Sequence, residues 1–216
     1  MQKAFGIVAV AALASAANAQ IASWVLLGQP GTQASVTGVG SPNVTANALT
    51  RGAGLTGNAG ANSLNTAGWN DLGANDFISL GFTAAAGFQV DLGSLYIGTR
   101  SSGTGPANLG LFYSGDGFST NLFTFSQPDS TFVNSVIDLS SLPNLSGNTE
   151  FRIRALNNVS ANGGSISSAG TFRITAYFVG GQFDRDVQFT GTVIPTPGAL
   201  ALAGIGGLFV ARRRRA

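Results

Sequence analysis

Apolar residues in this chain recur at every second position, and nowhere does a helical repeat last longer than two turns. Phe151, Ile153 and Ala155 alternate with Arg152 and Arg154, and Phe172, Ile174, Ala176 and Phe178 alternate with Arg173, Thr175 and Tyr177. A period of two sends successive side chains to opposite faces of a pleated strand, so these segments read as half-buried strands. Shorter runs at 24–27, 43–46, 77–83, 88–92, 95–97, 108–113, 122–125, 131–139 and 186–193 have the same character. Turn formers separate them, among them Ser114-Gly115-Asp116-Gly117 and Pro143 with Gly147. The pattern predicts an all-β fold, a single antiparallel β-sandwich of jelly-roll-like topology. Residues 21–73 read as loop-rich; the glycine- and asparagine-laden stretch 51–63 predicts one long loop, closed by Trp69-Asn70-Asp71.

The two ends differ from the body. Lys3, an apolar run over 5–14 and the triplet Ala17-Asn18-Ala19 before Gln20 follow the order of a secretory signal peptide, cut after Ala19. At the other end Pro195-Thr196-Pro197-Gly198 precedes an apolar run that stops at Arg212, Arg213, Arg214 and Arg215. Four arginines mark the cytoplasmic flank of a membrane segment, here a short one of about 21 Å against a hydrocarbon core of about 30 Å. The division predicted is a signal peptide at 1–19, an extracellular β-sandwich at 20–194 and a membrane-sorting tail with a short transmembrane helix at 195–216.

The layout of proline motif, short apolar helix and arginine cluster resembles the C-terminal signal of PEP-CTERM proteins. The body is similar to a domain often found with that signal, at 51–69, at 77–83, at Arg100-Ser101-Ser102-Gly103-Thr104-Gly105-Pro106 and at Phe151-Arg152-Ile153. The resemblance implies export through the Sec translocon, cleavage by signal peptidase, transient inner-membrane insertion and processing by an exosortase around Pro195, Thr196 and Pro197. It also implies a final place at the cell surface or outside the cell, amid exopolysaccharide and biofilm. Thr196 stands where the family pattern has an acidic residue.

Charge and missing residue types narrow the function. The net charge of +2 is carried by the targeting segments, because without Lys3 and the four terminal arginines six basic residues face nine acidic ones. The remaining arginines are dispersed, so nucleic acid is excluded as a partner. With no histidine and no cysteine, the chain cannot form a Ser-His-Asp triad, a thiolate nucleophile or a disulfide.

Three readings of function follow. The first is a non-enzymatic surface or matrix protein, with no cofactor. The second is a carbohydrate-binding β-sandwich module, for which Arg152, Arg154, Arg173 and Tyr177 would form a cationic and aromatic patch if their strands are neighbours. The third is a glycan hydrolase pairing Glu150 with Asp116, Asp184 or Asp186, although no spacing favours a pair. Oxygen ligands for a structural Ca²⁺ are offered by Asn70, Asp71 and Asp76 and by Asp184 and Asp186. Asn43, Asn144 and Asn158 open N-x-S/T matches that chance explains in a chain of this composition.

Overall fold

The computed structural model describes residues 19–198. Residues 1–18 of the expected signal peptide, including Ala17, and the apolar run with Arg212 to Arg215 lie outside the described residues. Among the described residues no helix is long and apolar enough to cross a membrane.

The chain begins with strands β1 (Ala19–Trp24), β2 (Pro30–Gly31), β3 (Ser35–Val36), β4 (Gly38–Gly40), β5 (Val44–Ala46), β6 (Leu49–Arg51), β7 (Thr56–Gly57) and β8 (Ser63–Ala67). Longer strands follow: β9 (Phe77–Ala84), β10 (Phe88–Ser101), β11 (Asn108–Tyr113), β12 (Phe123–Ser126), β13 (Val133–Asp138) and β14 (Asn148–Ala155). The last are β15 (Phe172–Thr175), β16 (Tyr177–Val179), β17 (Gln182–Arg185) and β18 (Val187–Pro195).

Two antiparallel-dominated sheets face each other. The first runs β2-β8-β15-β10-β18-β1-β4, with β13 also on β10 and β7 on β8; the second runs β12-β11-β14-β9-β6-β3, with β5 on β9. From β8 to β15 the chain alternates between them except at the β11–β12 hairpin, which stays in the second sheet, so that β8, β15, β10 and β13 adjoin in the first sheet and β9, β14, β11 and β12 in the second. Their inner faces meet in one apolar core. Phe189 of β18 packs against Phe82 of β9 and Phe151 of β14, with ring centroids 5.8 and 4.9 Å apart, which joins the sheets at the centre.

Two expectations needed correction. The loop-rich reading of 21–73 missed β1 and β8, and β8 is buried at every residue. Its polar side chains are accommodated by bonding: Thr66 Oγ1 donates to the Phe172 carbonyl (2.6 Å), and Asn65 Nδ2 donates to the Ala59 carbonyl (2.8 Å). Nor does the alternating run 172–178 form one strand. It breaks at Ala176, where the chain leaves the sheet as the β16–β17 hairpin before returning as β18. Both β15 and β18 pair with β10, at its far and near parts respectively, so the hairpin projects from the gap between them.

The expected processing region is partly in the fold. Pro195, the last residue of β18, pairs with Phe88, and the Thr196 N–H donates to the Gly87 carbonyl (2.8 Å). Ala19 and Gln20 pair with Gly191 and Thr190 on the same strand, so both ends of the described chain emerge at one end of the sandwich.

Candidate functional site

The outer face of the first sheet gathers the arginines and aromatics of interest. Register places Arg100 of β10 opposite Arg173 of β15, which is opposite Asn65 of β8. One row along, Gly98 lies between Asn134 of β13 and Thr175 of β15. In the next row Tyr96 lies between Val136 and Gln188. All of these share the face turned away from the core, because their neighbours Leu95, Ile97 and Thr99 are buried on the other side.

The hairpin stands on this face, and Gly98 lets it do so. A Cβ at Gly98 would collide with the Ala176 carbonyl oxygen and the Thr175 hydroxyl, so only glycine allows the chain to cross there. Asn134 then fixes β16 by donating through Nδ2 to the Phe178 carbonyl, while its Oδ1 accepts a long bond from the Phe178 N–H (3.4 Å). Tyr177 meets Tyr96 edge to face at 5.6 Å, and the Arg185 guanidinium lies 4.3 Å from the Tyr96 ring centre. A cavity of about 400 Å³ opens beside the hairpin, lined by Phe132, Asn134, Thr175, Phe178, Gly180 and Gly181.

Phe132 marks the rim of this cavity. Its side chain is 60% exposed, yet its ring lies against both arginines, 5.2 Å from the Arg100 guanidinium carbon and 5.8 Å from that of Arg173. Arg100 donates through Nε to the Ser130 carbonyl (2.9 Å), and its terminal nitrogens have no hydrogen-bond partner among the described residues. Arg173 is half-buried beneath the loop at Gly60. Burial, and then the charge of Arg100, lower its pKa from the ordinary arginine value.

The patch expected from sequence is divided. Arg152 and Arg154 belong to β14 of the second sheet, whereas Arg173 lies on the outer face of the first and Tyr177 on the β16–β17 hairpin that stands on that face. Arg152 is already engaged: its guanidinium carbon lies 4.1 Å from the centres of both the Phe77 and Phe118 rings, and it pairs with Glu150 at 2.8 Å. Arg154 lies 4.4 Å from the Phe112 ring centre and donates to the Phe118 carbonyl. Phe118 holds this position with φ of 61°, an uncommon conformation for a bulky residue.

The carboxylates are dispersed. Glu150, the common member of the candidate pairs, is held by Arg152, and Asp116 closes its own turn by accepting the N–H groups of Ser119 and Thr120. Asp184 pairs with Arg185. Asp186 has a buried Oδ1 without a partner, and burial raises its pKa above the ordinary carboxylate value. Asp71 and Asp76 do come together. Burial, a hydrogen bond with Asp71 and the Asp71 charge raise the Asp76 pKa, while the Gly73 N–H opposes the rise. Among the described residues no three acidic, histidine or cysteine side chains gather as a metal site.

Arg100, Phe132 and Asn134 were missed in the sequence because nothing local marks them. Their common face depends on β10 pairing with both β13 and β15, partners far apart in the chain.

No protein-family model matches the chain, and no curated protein matches its sequence. Among solved structures, a mutant of a family 29 carbohydrate binding module is similar with a TM-score of 0.39 and 13% identity, over 79% of this chain and 92% of that one. A second family 29 mutant, complexed with cellulohexaose, has a TM-score of 0.39 and 12% identity, over 80% and 92% of the two chains. Likeness at this level carries no weight for ligand or mechanism, so the outer face has to be read on its own chemistry.

Proposed function

We propose that the protein is an exported, non-catalytic β-sandwich that binds extracellular polysaccharide through the outer face of its first sheet. The observation that carries this reading is Phe132, a largely exposed ring at the mouth of a cavity, flanked by guanidinium groups and amides. Pyranose rings present C–H faces that rest on aromatic rings and hydroxyls that bond to amides and guanidinium groups, and this face offers both. Jelly-roll topology belongs to the same reading; it is supported by the alternation of β8 to β15 between two sheets of four adjoining strands.

Affinity electrophoresis of the purified protein through gels containing polysaccharides tests the binding. Retardation is expected for the wild type and its loss for Phe132→Ala; unimpeded migration in every gel would remove the reading. Export and exosortase processing are proposed from the two ends of the sequence, with support from the end of β18 at Pro195. Mass spectrometry of the secreted protein should give an N-terminus at Gln20 and a mass lacking Arg212 to Arg215. A chain retaining Arg215 overturns the processing proposal.

A further inference from the structure

We infer that the outer face selects acidic polysaccharide, with a uronate carboxylate seated between Arg100 and Arg173 while its sugar ring rests on Phe132. This rests on the polysaccharide-binding reading and adds the chemical class of the ligand.

Elimination isolates these two residues. Six arginines lie among the described residues, and four of them either pair with a carboxylate or bond through a terminal guanidinium nitrogen. Arg51 donates to the carbonyls of Gly31, Gln33 and Asn65. Arg152 is paired with Glu150, Arg154 donates to Phe118, and Arg185 is paired with Asp184. Arg100 has one bond from Nε, and Arg173 has no hydrogen bond to the protein among the described residues.

The arrangement is unfavourable without an anion. Like charges directly opposite on neighbouring strands repel, and Arg173 also loses hydration beneath the Gly60 loop. A carboxylate between the two forks would receive charge-assisted bonds from donors that are now unused, and burial strengthens such bonds. Phe132 extends across both guanidinium groups and leaves most of its ring open, so a sugar lying on it can carry its carboxylate to the arginines. A free inorganic anion could use the arginines but would gain nothing from Phe132, which separates the two cases.

The test measures affinity of the purified protein for polygalacturonate and for the same polymer with its carboxyls reduced to alcohols, at low and high salt. Charged hydrogen bonds of about 1.5–3 kcal/mol correspond to at least about tenfold in affinity, so the reduced polymer should bind at least that much more weakly. Arg100→Gln and Arg173→Gln should each lose about tenfold on polygalacturonate and little on the reduced polymer, with the folded state checked by thermal unfolding. Arg173→Lys, which keeps the charge and loses the fork, should recover part of the loss. Equal affinity of the wild type for both polymers overturns the inference and leaves the polysaccharide reading intact. Binding to neither polymer overturns the inference for this ligand class, and failure in a broader set of neutral gels then overturns the reading beneath it. If Phe132→Ala binds polygalacturonate as well as wild type while inorganic phosphate competes, the pair is a simple anion site and the inference fails.

Discussion

Arg100 and Arg173 face each other directly across β10 and β15, and no carboxylate among the described residues lies in ion-pairing distance of either. Removing one charge should therefore relieve the free protein. Arg173→Gln is expected to raise unfolding stability by about 0.2–1 kcal/mol at low salt, and by less as salt screens the pair. Urea denaturation at two ionic strengths checks this; a loss of stability at low salt would mean that the guanidinium has a structural partner.

Gly98 is the foothold of the hairpin. Gly98→Ala forces a methyl group into the Ala176 carbonyl and should cost about 1–3 kcal/mol. Limited proteolysis should cut faster between Tyr177 and Arg185 in this variant, and an unchanged cleavage rate would show that the hairpin does not depend on the crossing.

Thr66 serves two buried partners, donating to the Phe172 carbonyl and accepting from Trp69 Nε1 at 3.0 Å. Thr66→Val keeps the shape and removes both bonds, leaving Trp69 Nε1 only its longer bond to the Thr66 main-chain carbonyl (3.3 Å), so a loss of about 1–3 kcal/mol is expected in urea unfolding. Thr66→Ser should retain most of that stability.

Asp76 gives the fold a pH dependence of defined sign. Its pKa is raised, so the folded state binds the proton more tightly than the unfolded state, whose carboxyl titrates near 3.8. The resulting stability is present in full below that value and is lost as pH rises through the folded pKa. Asp76→Asn can still accept from the Gly73 N–H and can donate to Asp71, so it should remove this pH-dependent loss. At pH 7 its Tm should be higher than that of the wild type, and the difference should vanish at a pH below the unfolded carboxyl value. A lower Tm at pH 7 would contradict the assignment.

Strands that alternate large apolar with polar residues were legible in the sequence. Phe151, Ile153 and Ala155 predict β14, and 77–83 predicts nearly all of β9. β8 was not legible, because Ser63, Asn65 and Thr66 are polar and their burial rests on partners such as Ala59 and Phe172 that only tertiary pairing supplies. The condition set for the arginine patch, that its strands be neighbours, could not be read locally for a related reason. Arg152 and Arg173 have the same local signature, an arginine between apolar residues, but β14 and β15 lie in different sheets, and short sequence separation does not reveal which sheet a strand joins. The proximity of Asp71 and Asp76 is legible, since a turn that returns the chain within five residues keeps its contacts local.

β10 also has a mechanical consequence. Its first residue, Phe88, pairs with Pro195 at the end of β18, while Arg100 lies near its other end, on the order of 40 Å of extended chain away. β10 and β18 are antiparallel, so tension between a ligand held at Arg100 and the chain beyond Pro195 pulls the strands lengthwise past each other. Such a pull loads the rungs of their ladder together, in shear, where a pull across the strands would unzip them one by one. A domain that grips at one end of this strand and is held at the other is therefore strung to bear force.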